Sequence, residues 1–336
     1  MIDALIQLAL FASKTLIIFI FIFGILMLFI ALVAKNKDKT KGRLIIKNLN
    51  HKYDAMAEEL LAETLPKKQF KKFQKEKKTA EKDKEKSETK LKNIFVLNFY
   101  GDMKASAVTG LGEEINTILS VSTPNDEVVV RLESGGGFVH SYGLAAAQLS
   151  RIRAHRIPLT ITIDKIAASG GYLMACVGNK ILSSPFAIIG SIGVLMQMPN
   201  FHRWLKDNHI DFVQLTAGEY KRTVTMFGEN TETGREKMKQ ELEDAHRLFK
   251  NLIKENRPHI DIQKVATGEH WLGQQAIDLN LVDEIKTSDD YLLELSKTAN
   301  LYEICYEIKK PFLSKLSATA SLLWEKIQFK QPDTLY

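Results

Sequence analysis

A chain of 336 residues, 45% hydrophobic and 26% charged, is long enough for one large domain or two small ones and apolar enough to bury a sizeable core. The net charge of +6 is local: Lys67 to Lys92 holds twelve Lys against five Asp and Glu, so the basic balance belongs to a spacer and gives no case for nucleic-acid binding by the folded part. Two cysteines, Cys176 and Cys305, exclude a disulfide framework, and Cys176, in an apolar run, reads as a small buried hydrophobe.

In chain order, residues 15–34 (TLIIFIFIFGILMLFIALVA) carry no charge over twenty positions, the length that crosses a bilayer as a helix. Val33-Ala34 before Lys35 is a poor cleavage site, so an uncleaved anchor is expected. The flank KNKDKTKGR is rich in Lys and Arg, which by the positive-inside rule puts the bulk of the chain in the cytoplasm. Residues 44–65 are expected to be helical, with Met56, Leu60, Leu61 and Leu65 apolar. Residues 66–93 read as a lysine-rich, partly helical spacer, with contact to anionic lipid head groups as the alternative.

From Ile94 the pattern alternates. Strands are expected at 94–99, 127–132, 158–163, 180–184, 188–197 and 210–215, and helices at 107–121, 141–154, 170–177 and 201–207. Thr233 with Glu236 reads as a capping box opening a helix to about Asn256, with Met238, Leu242, Ala245, Phe249 and Leu252 on one face. This predicts an α/β domain with buried, parallel strands. The apolar run 181–199 could be a second span, but Pro185, Gly190 and Gly193 favour buried strands. Residues 311–329 predict an amphipathic helix, with Leu316, Leu322, Leu323, Trp324 and Ile327 apolar, for packing or for lying on a membrane. The expected organisation is a membrane anchor (1–34), a basic juxtamembrane helix and lysine-rich linker (35–93), a catalytic α/β domain (94–310) and a C-terminal amphipathic helix and tail (311–336).

The chemistry gathers in ITIDKIAASGGYLMA (161–175), where a strand leads into Ser169, two glycines and a helix. That arrangement presents a nucleophile at a helix start; a tight glycine turn with an N-capping serine would look the same. Upstream, RLESGGGFVHSYG (131–143) repeats strand, glycines and helix, so two crossover loops emerge at one sheet edge with backbone N–H groups to offer an oxyanion. Serine needs a base. None of the eight histidines lies in a motif that marks it, although His140, His270 and a triad through Asp164 stay open. A desolvated lysine is the other option: Lys221 in GEYKRT (218–223), or Lys165 four residues before Ser169.

The set ESGGG (133–137), AASGGY (167–172), GSIGV (190–194), GEYKRT (218–223) and GEHWLGQQAIDLNLVDEI (268–285) resembles the signal peptide peptidase A and SohB family of serine proteases, over nearly the whole chain. The resemblance implies a ClpP/crotonase-type fold, a Ser-Lys dyad, a homo-oligomer and no metal or cofactor. Carried over residue by residue, Ser169 is the nucleophile, Lys221 the base, Ser191 the residue that orients the base, and the N–H groups of Gly136 and Gly170 the oxyanion hole. Relatives usually have Pro where this chain has Gly135, which makes the loop more mobile. Asn280 replaces a frequent Gly and tolerates the same left-handed conformation. The expected activity is endopeptidase action on membrane-derived or signal peptides, at the cell inner membrane, on either of its faces. The rival readings are a scaffold or chaperone of protease descent and a crotonase-like acyl-CoA enzyme.

Overall fold

The computed structural model describes residues 2–37, 42–86 and 91–307. The chain divides into two compact units. One contains α1 (Ile2–Lys37), whose stretch Leu10–Phe29 has a mean hydropathy of 2.4 and is long and apolar enough to cross a membrane. The helix expected at 311–329 lies outside the described residues.

The other unit, Ile45–Cys305, is built on one sheet. Its elements open with β1 (Arg43–Asn48), α2 (Leu49–Thr64) and α3 (Lys67–Lys86). The helix expected over 44–65 begins only at Leu49. RLIIKN instead pairs at the sheet edge, and Asn48 caps α2 by accepting from the His51 N–H. The unit thus starts well upstream of Ile94, because β1 adds a strand and Leu49 enters the core. The lysine-rich spacer is helical over α3, where Lys77 pairs with Asp54 and Glu58 of α2.

Next come β2 (Asn93–Gly101), α4 (Val108–Val121), β3 (Glu127–Ser134), α5 (Val139–Ala154), β4 (Leu159–Ile163), β5 (Ile166–Ala168), α6 (Gly170–Ala175), β6 (Lys180–Ser183) and β7 (Ile188–Gly190). Then follow α7 (His202–Asp207), α8 (Glu232–Asn256), α9 (Ile262–Val265), β8 (His270–Leu272), α10 (Gly273–Ala276), β9 (Glu284–Ile285), α11 (Ser288–Leu295) and β10 (Asn300–Glu307). The strand order is β1-β10-β2-β3-β4-β6-β9, and β3 also pairs with β5, β5 with β7 and β7 with β8. The pairs from β10 to β9 along the main path are parallel, as are β3–β5 and β5–β7. β7–β8 is antiparallel.

Continuous apolar runs form the central strands because both faces are covered. Ile94, Val96 and Val129 meet Leu49 of α2 and Leu292 of α11 in one cluster. Leu111, Ile115 and Ile118 of α4 and Tyr142, Ala146 and Leu149 of α5 recur at helical spacing and are buried.

Three further expectations do not hold. IDFVQL (210–215) forms no strand and is exposed: among the described residues no neighbouring strand takes its backbone bonds. Likewise β7 stops at Gly190, and 191–200 has no regular structure. Residues 191–231 form an arm that leaves the sheet, carries only the short α7, and returns as α8. The cap of α8 is Thr231, which accepts from the Gly234 N–H, not Thr233.

Candidate active site

Three parallel strand ends converge on Ser169. Ser134 is the partner of Ala167, and Ala168 that of Gly190, so the residues leaving β3, β5 and β7 emerge side by side. The Ser169 N–H donates to Gly190 O (2.8 Å), which puts Ser191 next to the nucleophile candidate. Ser191 in turn is held through its own N–H by Glu269 O.

Ser169 has φ 52° and ψ −119°, a conformation that a side chain rarely adopts. Such strain costs about 1–3 kcal/mol and collects at functional sites. Although Ser169 precedes the first turn of α6, its side chain makes no capping bond, so the motif is not an ordinary N-cap. Among the described residues nothing hydrogen-bonds its hydroxyl, and the side chain is half-buried.

The glycine loop lies against this serine. Gly136 has φ 90°, and a Cβ there would come within 2.6 Å of Gly170 N and 2.9 Å of Ser169 Cβ, so only glycine lets the loop approach. The Gly136 N–H donates to Ser134 Oγ at 3.1 Å. That hydroxyl is paired with Tyr142 OH, and burial raises the pKa of the Tyr142 phenol, an effect the Ser134 bond opposes and the Asp102 carboxylate reinforces. Tyr142 therefore keeps its proton.

Gly136, Ser169, Gly170 and Ser191 are thus brought together, whereas Lys221 is not delivered by a strand end. It sits on the arm, exposed, with its backbone N–H donating to Gly218 O. Lys165 is 72% exposed and held by both carboxylate oxygens of Glu133 at 3.1 Å, a solvated ion pair rather than a dry amine. Asp164 is occupied: its two oxygens accept from the Ser288 N–H and hydroxyl (2.8 and 2.5 Å), tying β4 to α11, so it orients no histidine. His140 is exposed and stacks on Phe138, while His270 is exposed and opposite Gly190. Asn280 takes the left-handed conformation, with φ 58°.

The peptidase family S49 N-terminal domain matches residues 3–149, and the peptidase family S49 domain matches residues 151–302. The chain belongs to peptidase family S49. Its fold is of the ClpP type that this family shares. Three similar proteins are each named a probable protease SohB. That of Haemophilus influenzae is 56% identical over 68% of this chain and 64% of its own length, so this match spans a little under two thirds of that relative. The protein of Buchnera aphidicola from Schizaphis graminum is 45% identical over 97% of this chain and 96% of its own length. The one from Schlechtendalia chinensis is 44% identical over 87% and 99%.

The sequence missed the hydroxyls behind the loop. Ser134 lies inside ESGGG and Tyr142 eight residues on, but only the fold shows that they meet.

Proposed function

We propose that this S49 chain is a membrane-anchored serine endopeptidase with Ser169 as nucleophile and Lys221 as base. The observation that carries the reading is Ser169 itself: strained, uncapped and, among the described residues, with no hydrogen bond to its hydroxyl, against a loop that only glycine permits.

The neutral Lys221 amine accepts the Ser169 proton while Oγ bonds to the carbonyl carbon of a peptide. The N–H groups of Gly136 and Gly170 take the negative oxygen, the Gly136 N–H as a three-centre bond that keeps Ser134 Oγ as its second acceptor. The Lys221 ammonium then protonates the departing amine as the C–N bond breaks. Water, giving a proton to the same amine, attacks the acyl ester and releases Ser169 with its proton restored. Ser191, beside Ser169, orients the amine.

A neutral lysine needs a dry setting. In the single chain Lys221 is exposed on an arm whose Leu215, Val213 and Leu195 are 93%, 76% and 74% exposed. A homo-oligomer supplies what is lacking, by covering this arm and withdrawing the amine from water. The span at Leu10–Phe29 supports a single-pass location in the inner membrane and, with it, substrates that are signal or other membrane-derived peptides.

The test is turnover of a fluorogenic peptide by the full chain in detergent. Ser169→Ala and Lys221→Ala should each lower kcat by about a thousandfold or more with the fold intact. An active Ser169→Ala protein overturns the reading. Activity that survives Lys221→Ala but not His270→Ala moves the base to His270.

A further inference from the structure

The strands that deliver Ser169 enclose a run of hydroxyls that the chemistry above leaves unused. The Gly136 N–H donates to Ser134 Oγ (3.1 Å), Ser134 Oγ lies 2.6 Å from Tyr142 OH, and Tyr142 OH donates to the Asp102 carbonyl (2.8 Å). A phenol has one proton. Tyr142 gives that proton to Asp102, so it can only accept from Ser134, and the direction of all three bonds is fixed. They run head to tail from Gly136 to Ser134 to Tyr142 to Asp102, an arrangement in which each bond strengthens the next. The chain is dry, with Ser134 2% and Tyr142 0% exposed.

The same two residues bear on the second amide. A Cβ on Gly170 would lie 2.5 Å from the Tyr142 ring, and one on Gly171 2.3 Å from Ser134 O. The loop has little stiffness of its own, since Gly135, Gly136 and Gly137 are consecutive. One backbone bond, from the Phe138 N–H to Met103 O, joins it to the same turn after β2 that holds Asp102.

We propose that Ser134 and Tyr142 are positioning residues that hold the amides of Gly136 and Gly170 in place for the substrate's carbonyl oxygen, an inference that rests on the peptidase reading above. Without either hydroxyl, three adjacent glycines must find that geometry unaided. The loss falls on the transition state, where the amides meet a negatively charged oxygen, and not on ground-state binding of the peptide.

The experiment compares Tyr142→Phe, Ser134→Ala and the double variant with the wild-type full chain in detergent. Tyr142→Phe should melt close to the wild type and lose about tenfold in kcat, and Ser134→Ala about a hundredfold, both with KM within about twofold. The double variant should be no slower than Ser134→Ala, since the hydroxyls act in series. Phosphonylation of Ser169 by a fluorophosphonate probe should slow by the same factors, and amide exchange across 134–138 should quicken. A folded Tyr142→Phe protein with wild-type kcat and labelling rate overturns the inference and leaves the peptidase reading standing. So does a loss that appears in KM, or that follows melting temperature alone. A wild-type chain that neither turns over peptide nor labels at Ser169 overturns the peptidase reading and this inference with it.

Discussion

Ser169 spends stability on its position. Its φ of 52° with ψ of −119° suits glycine, so Ser169→Gly should raise the unfolding free energy by about 1 kcal/mol while Ser169→Ala should not, as denaturant melts will show. Cys176 is the opposite kind of residue: fully buried, its thiol is pushed up to about 12 by burial, with the Arg257 charge pulling the other way. Thiol reagents should therefore leave Cys176 untouched in the folded protein and modify it only after denaturation, read by mass spectrometry. Much of this scale could be read from residue order alone. Ser169, Gly170 and the loop Gly135 to Gly137 fall at strand exits marked by glycine, and strand exits of a parallel sheet share an edge, whereas Ser191 and the choice of Gly136 come only with the family resemblance. The partners of Ser134 and Asp164 could not, because Tyr142 and Ser288 reach them only once helices have packed.

At the scale of elements, α8 is fastened by its end. Arg257 follows its last turn, is 3% exposed, and grips both oxygens of Asp283 (2.8 and 2.6 Å), which also accepts the Ile181 N–H of β6 at 2.7 Å. Burial would raise the Asp283 carboxyl, but the Arg257 bonds and charge and the Ile181 amide outweigh it and hold the pKa below the usual range. A carboxyl lowered by folding adds stability above its unfolded pKa, about 3.9, and that contribution is lost as pH falls through the folded value. Asp283→Asn should thus cost about 3–5 kcal/mol near neutral pH and flatten the acid limb of a stability profile measured from pH 6 downwards. Elements read best from the sequence where burial is two-sided, as in β2, β3 and β4. RLIIKN is not legible as a strand because its place is a sheet edge beside β10, more than 250 residues away. IDFVQL has the pattern of a strand but no strand beside it among the described residues.

For the whole molecule, the feature that stands out is the arm at 191–231. Exposed Leu215, Val213 and Trp204 in one excursion form a surface that water does not favour. On the homo-oligomer proposed above, Leu215→Asp should lower the mass seen in sedimentation to that of one detergent-bound protomer and remove peptide turnover with it, while the melting temperature holds. The sheet itself has an order of assembly written into it. β10, from the last described residues, sits between β1 and β2, and Asn300 to Glu303 lie against Asn93 to Val96 in register. A ribosome emits β2 some two hundred residues before β10, so the nascent chain waits with the β10 side of β2 unpaired. Its synthesis thus passes through a stage at which a holding chaperone has something definite to cover.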